Sequence, residues 1–489
     1  MIEFPRDGIA NEGVETEKTV DVLLRLASCA RMYRSPDGRL HAQVPVGDRL
    51  EMYGLRSAGF RDWLIDGYFS YRGEPASTWA IRRVVSVLEA RARFDGRMPS
   101  VFIRVGHDGQ SPHDGSTYFL DLGDSSGRAI LISADGWSLI DRPGGVHFRR
   151  PEGLLPLPVP TTDGSIDLMR PYVNLTDVDF RLMVAWLTAA LRPVGPYPIL
   201  VLQGEQGSSK STLARILRLL IDPHVCPLLA EPKGTRDLMV TALNGWLLAY
   251  DNLTTIPGWM SDVLCQLVFG GGFSGRALYS NDERNIIQAQ RPVMLNGIED
   301  FVRRGDLRDR CVFLHLPPIL SANRRAENEF WRSFDADYPR ILGGILDLIA
   351  AGLRALPSVH CLDLPRMADY ARWGVAVGSD VGSPSGTFLA EYNTNRKNAT
   401  LTELEDSAIG TALLISLSQV RRWVGTPAKL HEALTEIVGK RVAATARWPK
   451  SPSAFANELR RLIPQLRLHG LSIDFERGHN GRRIIMTNR

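Results

Sequence analysis

Cysteine is scarce, with five residues in 489 (Cys29, Cys226, Cys265, Cys311 and Cys361). They lie far apart, are odd in number and form no Cys-x-x-Cys pair, which argues against a disulfide framework and a cysteine-based zinc site. Long apolar runs are also missing. Mean hydropathy is −0.11, and no window reads as the ~18 apolar residues of a membrane span. Met1 to Thr19 lacks an apolar core and carries Glu3, Asp7, Glu12, Glu15 and Glu17, unlike a secretory signal or an Arg-rich transit peptide. No internal repeat or low-complexity block stands out. The expectation is a cytoplasmic, non-membrane protein of ordinary globular composition, 44 % hydrophobic and 23 % charged.

What is present is unevenly distributed. The net charge of +4 hides a basic end: residues 420–489 hold 14 Lys and Arg against 5 Asp and Glu, so the rest of the chain nets −5. Such an end suits a polyanion, although a solvated charged face has the same composition. The length predicts about three domains. Apolar residues at helical spacing (Val22, Leu23, Leu26; Ile81, Val84, Val85, Leu88) predict helices over much of 19–94. Short alternating runs at Val101–Val105, Tyr118–Leu122 and Ala129–Ile132 predict a small sheet. The proline-rich stretch 151–160 reads as a semi-rigid linker. The resulting division is an α+β N-terminal domain (1–170), an α/β core with a helical lid (171–377), a helical linker (378–420) and a basic C-terminal domain (421–489).

One stretch carries chemistry. The apolar strand Ile199-Leu200-Val201-Leu202 runs into Gly204-Glu205-Gln206-Gly207-Ser208-Ser209-Lys210-Ser211-Thr212 and then an amphipathic helix. Strand, glycine-rich loop and helix in that order make a phosphate-binding loop: backbone N–H groups and the helix N-terminus face the phosphates of ATP. Lys210 would reach the β- and γ-phosphates and Ser211 would bind Mg²⁺. Ser209 stands where glycine is usual, a place serine can fill if its backbone is unstrained. The plainer alternative is a Ser/Gly-rich turn that caps a helix.

Three further elements follow in register. The run Gly245-Trp246-Leu247-Leu248-Ala249-Tyr250-Asp251-Asn252 is a strand ending in an acid, where Asp251 would help hold Mg²⁺. Asn252 occupies the usual place of a water-polarising Glu and cannot be a general base. Hydrolysis is then slow, or a carboxylate such as Glu205, Asp282 or Glu283 serves. Asn296 ends the strand Arg291–Asn296 and could bridge the γ-phosphate and water, or simply cap a turn. Arg310, with Arg308 second, precedes the strand Cys311–Leu316, where ring ATPases carry a rim arginine that reaches a neighbour's nucleotide. A surface ion pair with Asp306 or Asp309 is the alternative. Between these elements, Gly270–Tyr279 could form a hairpin presenting Arg276 and Tyr279 to a polymer in a ring pore, or be a surface turn. Arg366 reads as a helix-start surface residue, or as a lid arginine on the nucleotide.

This order of motifs resembles superfamily-three helicases, and more closely the ATPase part of phage and plasmid primase-helicases and a related group of bacterial ATP-binding proteins. Gly204–Ser208, Leu295-Asn296-Gly297-Ile298-Glu299 and Arg366-Met367-Ala368-Asp369 carry the likeness. The resemblance implies an α/β P-loop NTPase core of AAA+ or helicase-like type, a homo-oligomeric ring, a role in mobile-element DNA replication, and a primase or other replication partner. No primase acids are recognisable in 1–170.

In the basic end, Thr426-Pro427 and Ser451-Pro452 each open a helix. Asn480-Gly481 between alternating runs predicts a hairpin. Helix, helix and basic hairpin is the layout of a winged helix, in which Arg460, Arg461, Arg477, Arg482 and Arg483 would contact DNA phosphates. Such domains also dock proteins. The sequence therefore supports an ATP-driven helicase or remodeller on DNA. A nucleotide-gated scaffold with little turnover is the competing reading, and a defence-signalling ATPase is a third.

Overall fold

Three separate apolar clusters organise the described residues. The structure, a computed structural model, describes residues 17–35, 38–47, 49–94, 100–109, 117–141, 143–276, 284–297, 300–378, 387–417, 421–445, 448–478 and 481–488. The first cluster lies in 17–94, where the helices Thr19–Leu26, Ala58–Arg72 and Thr78–Phe94 pack on an antiparallel sheet of Arg31–Arg34, Leu40–Val46 and Arg49–Gly54. The helices agree with the expectation, and the sheet departs from it. Its strands are only four to seven residues long, and Ala42 and Val44, the buried pair at strand spacing, are too short a run to stand out between longer helical patterns.

The second cluster is the largest and runs from Ile103 to Ala399. The proline-rich stretch 151–160 is not a spacer within it. Leu155 N–H bonds to the Pro223 carbonyl at 2.9 Å and Leu157 N–H to the Leu122 carbonyl at 2.8 Å. The sheet of Val105–His107, Tyr118–Asp121, Ala129–Ser133 and Gly136–Ile140 therefore shares a core with the α/β unit. Arg104 fastens it. Its backbone is left-handed (φ 61°), and its fully buried guanidinium bonds to Asp222 at 3.1 Å and to the carbonyls of Asp121, Leu122 and Leu155. Asp222 also meets Arg218 at 3.5 Å and accepts the Trp246 N–H at 3.0 Å.

The α/β unit is a four-stranded parallel sheet in the order Leu248–Leu253, Val293–Gly297, Ile199–Gln203, Cys311–His315. Leu229 adds a parallel bridge to Tyr250 at the edge. The central strand Ile199–Gln203 is buried along its whole length, as expected where helices cover both faces of a parallel sheet. The helix Asp177–Ala190 opens on Thr176, whose Oγ1 accepts the Asp179 N–H at 3.1 Å. The long helix Glu327–Ala355 follows the last strand of this sheet. By length and composition alone, the segment Glu327–Ser358 could cross a membrane, which departs from the hydropathy expectation. Here 61 % of its most apolar window is buried inside the protein.

The third cluster joins Leu404 of the helix Thr387–Asp406 to residues 408–486. It contains the helices Ala408–Leu417, Pro427–Ala443 and Pro452–Leu468 and an antiparallel sheet in the order Arg422–Gly425, Gly481–Asn488, Leu471–Gly478. This unit thus begins before residue 421, the predicted boundary. Ser451 Oγ accepts the Ala454 N–H at 3.2 Å, as its place before Pro452 predicts.

Candidate functional site

The carboxyl ends of the parallel strands open into a polar cleft of about 390 Å³, lined by Gln206–Thr212, Asp251, Asn252, Asn296 and Gly297. Ligands of open α/β sheets bind outside this edge of the strands. Three segments separated by some 40 residues each are thus brought together, as their spacing predicts. Gly204, also in the loop, lies so close to the Leu316 carbonyl that a Cβ there would stand 2.4 Å from its oxygen, so only glycine fits.

Within the loop, Gly207 has φ 82° and Ser209 has φ 65°. Ser209 is therefore in the left-handed region, so the condition under which serine replaces glycine without strain is not met. For a residue with a Cβ this costs about 1–2 kcal/mol, and it explains why glycine is the usual occupant. Lys210 opens the helix Lys210–Ile221 and is 8 % exposed. Its Nζ donates to the carbonyls of Gly204 and Glu205, both at 2.7 Å. Burial pushes its amine below the usual lysine range, while the Asp251 carboxylate acts in the opposite sense. A cation held on neutral carbonyls in a desolvated place is poised for an anion.

Ser211 Oγ meets Asp251 Oδ1 at 3.3 Å, and Asn296 Nδ2 donates both to Ser211 Oγ at 3.2 Å and to Asp251 Oδ1. Asn296 is 2 % exposed, and its buried Oδ1 has no partner among the described residues. An orphaned acceptor is costly unless a ligand or water completes it. The site therefore combines a buried cation, a hydroxyl–carboxylate pair and a free amide oxygen, a set that fits a phosphate chain with its Mg²⁺. Among the described residues no cluster of three or more His, Cys, Asp or Glu could hold a metal.

Asn252 has φ 56° at a register shift in its strand between Tyr250 and Leu253. Asn tolerates this conformation better than most residues. Its N–H bonds to Asp251 Oδ1 at 2.8 Å and its side chain is exposed. Asn252 thus shapes the bulge that turns Asp251 into the cleft. Glu205 is exposed on the loop, while Asp282 and Glu283 lie outside the described residues.

The arginines separate into two groups. Ile199 N–H bonds to the Arg310 carbonyl at 2.9 Å, which places Arg310 at the amino end of the sheet, opposite the cleft. Five strand residues at about 3.3 Å each make that roughly 17 Å. Its Nη1 donates to the Asp306 carbonyl and its guanidinium lies 5.4 Å from the Phe269 ring. Arg366 pairs with Asp309 at 3.5 Å at this same end, so it is not a lid arginine on the cleft of its own chain. Arg308, the second finger candidate, is 4 % exposed. It bonds to both Asp300 oxygens at 2.8 and 2.6 Å and to the carbonyls of Val302 and Ala399. Those bonds commit it to its own chain and remove it as a rim arginine.

Gly272–Arg276 and Arg284–Gln288 pair as antiparallel strands; Tyr279 and the Arg276 side chain lie outside the described residues. In the C-terminal unit Arg461 and Arg483 are exposed, and Arg460, also exposed, packs 4.3 Å from the Phe475 ring. The side chains of Arg477 and Arg482, and Asn480, are outside the described residues. Sequence reasoning misses Arg324. Its Nη2 lies 3.8 Å from where a Cβ on Gly207 would stand, and no spacing in the chain points to it.

Fold and cleft together define a mixed α/β protein with a polar ligand site at the carboxyl edge of a parallel sheet. Residues 166–395 match the family described as the actinomycete integrative conjugative element replication protein, and residues 409–489 match the AICE RepA C-terminal domain. Over these two spans, 230 and 81 residues of 489, the chain is similar to the replication protein of actinomycete integrative conjugative elements. No curated protein matches the chain. Among solved structures, the A-form apo structure of the NrS-1 C-terminal region is similar over 97 % of this chain and 100 % of that chain, at 11 % identity and TM-score 0.42. An apo structure of the NrS-1 C-terminal region (305–718) is similar over 96 % and 99 %, at 11 % identity and TM-score 0.40.

Proposed function

We propose that this protein is a P-loop ATPase of AAA+ or helicase-like type that works on DNA in the replication of an integrative conjugative element. The observation that carries the reading is the contact of Ser211, Asp251 and Asn296 beside the buried Lys210. When bound, MgATP would supply the phosphoanhydride whose hydrolysis drives the work. The loop N–H groups and Lys210 would hold its phosphates, and Ser211 and Asp251 its Mg²⁺. Asn296 would direct its free Oδ1 at the attacking water, which it orients without accepting a proton. Asn252 leaves the position of the usual general base empty of a carboxylate, so turnover without a polymer is slow.

Arg310 and Arg366, far from the cleft of their own chain, fit a trans role: in a homo-oligomeric ring they would face the neighbour's nucleotide. The paired strands Gly272–Arg276 and Arg284–Gln288 would reach the DNA in the ring. The C-terminal unit is read as a winged helix, and its last helix exposes Asn457, Arg460, Arg461, Pro464 and Arg467 on one side. This is the DNA-binding surface of the reading, and a primase or other replication protein would act beside it. The missing general base also favours a second reading, a nucleotide-gated DNA scaffold.

Lys210→Ala tests the site. The variant should fold and lose MgATP binding by about 100-fold or more, because a charge-assisted bond to phosphate contributes about 1.5–3 kcal/mol and Lys210 makes more than one. Isothermal titration calorimetry that returned wild-type affinity would remove the loop from the account.

A further inference from the structure

After the strand Cys311–His315 the chain passes the 3-10 turn Ser321–Asn323 and reaches Arg324, three residues before the helix Glu327–Ala355. The charged neighbours are engaged: Arg325 bonds to Ser333 Oγ at 3.2 Å and lies 5.5 Å from the Phe330 ring, and Arg215 pairs with Glu327 at 3.5 Å. Arg324 is different. It is exposed, and among the described residues its guanidinium has no hydrogen bond or ion pair. Among the described residues, the chain neighbours Gln206 and Ser208 of Gly207 aside, Arg324 Nη2 alone comes within 4 Å of the place a Cβ on Gly207 would take, at 3.8 Å. Gly207 lines the cleft and has φ 82°, so the loop presents bare backbone at the point where the guanidinium arrives.

We infer that Arg324 is a second phosphate-binding cation of this site, reaching from outside the loop to the phosphate chain that Lys210 holds from within. The inference rests on the proposed nucleotide reading and adds to it a residue from another segment of the chain. Lys210 is a point charge fixed inside the loop. Arg324 brings a planar fork of donors that can take two phosphate oxygens at once. It also ties occupancy to the fold, because Arg324 stands at the start of a helix whose Phe334 packs edge-on against Tyr172 at 5.4 Å. A phosphate chain drawing in Arg324 would draw that helix start toward the loop.

The test measures MgATP affinity by calorimetry on the full chain for wild type, Arg324→Ala, Arg324→Lys and Lys210→Ala, with melting temperatures taken without nucleotide. Arg324→Ala should bind MgATP about tenfold or more weakly and melt like wild type. Arg324→Lys should recover part of the affinity. If Arg324→Ala binds like wild type while Lys210→Ala does not bind, Arg324 has no phosphate role and the inference is overturned. If Lys210→Ala binds like wild type, the nucleotide reading itself fails, and this inference fails with it.

Discussion

Two residues stand for what individual positions decide. By residue type Asn252 is a chemical replacement for a glutamate, yet its left-handed backbone shows a conformational demand at the same place. A sequence exposes residue type but not φ, so this reason cannot be read from it; the same holds for Ser209. No motif singles out Asp222, although it is the buried anion between Arg104 and Arg218. Its partners are 118 and 4 residues away, and only the second distance leaves a pattern in the chain. Burial alone would raise its pKa, but Arg218, Arg104 and the hydrogen bonds outweigh burial and hold it below the ordinary carboxylate value. A depressed carboxylate contributes stability above its unfolded pKa of about 3.9 and loses it as pH falls through the folded value. Asp222→Ala leaves two buried guanidinium groups without their anion and should cost about 3–5 kcal/mol in urea unfolding at pH 7. A reduction under 1 kcal/mol would mean that the cluster is not structurally important.

At the scale of elements, the legible parts are those with local signals. Thr176 and Ser451 caps, the strand–loop–helix around Lys210 and the paired strands near the end all follow from residues a few positions apart. The proline-rich stretch 151–160 misleads because its composition suits a linker, whereas long-range bonds to Leu122 and Pro223 incorporate it. The basic C-terminal element has a quantitative signature. Arg461 and Arg483 are exposed, and among the described residues their guanidinium groups have no hydrogen bond or ion pair. Replacing both with Ala should lower the slope of log K for duplex DNA against log salt by about 0.9 for each phosphate that is no longer neutralised, without a change in melting temperature. An unchanged slope would assign this face to protein docking.

For the whole molecule, the order of the motifs is legible and their ends of the sheet are not. Loop, Asp251 and Asn296 meet at the carboxyl edge, while Arg310 and Arg366 lie at the amino edge. A single chain does not bring both sets to one nucleotide, so the trans role proposed for Arg310 and Arg366 requires a neighbouring copy. The sheet at 105–140 shares one apolar core with the α/β unit. The claim that this architecture couples MgATP to DNA is tested most directly by steady-state ATP turnover with and without single- and double-stranded DNA, using Lys210→Ala as the blank. The account predicts slow turnover alone, several-fold acceleration by DNA, and none in the blank. Turnover unaffected by either form of DNA, or equal in Lys210→Ala, would contradict it.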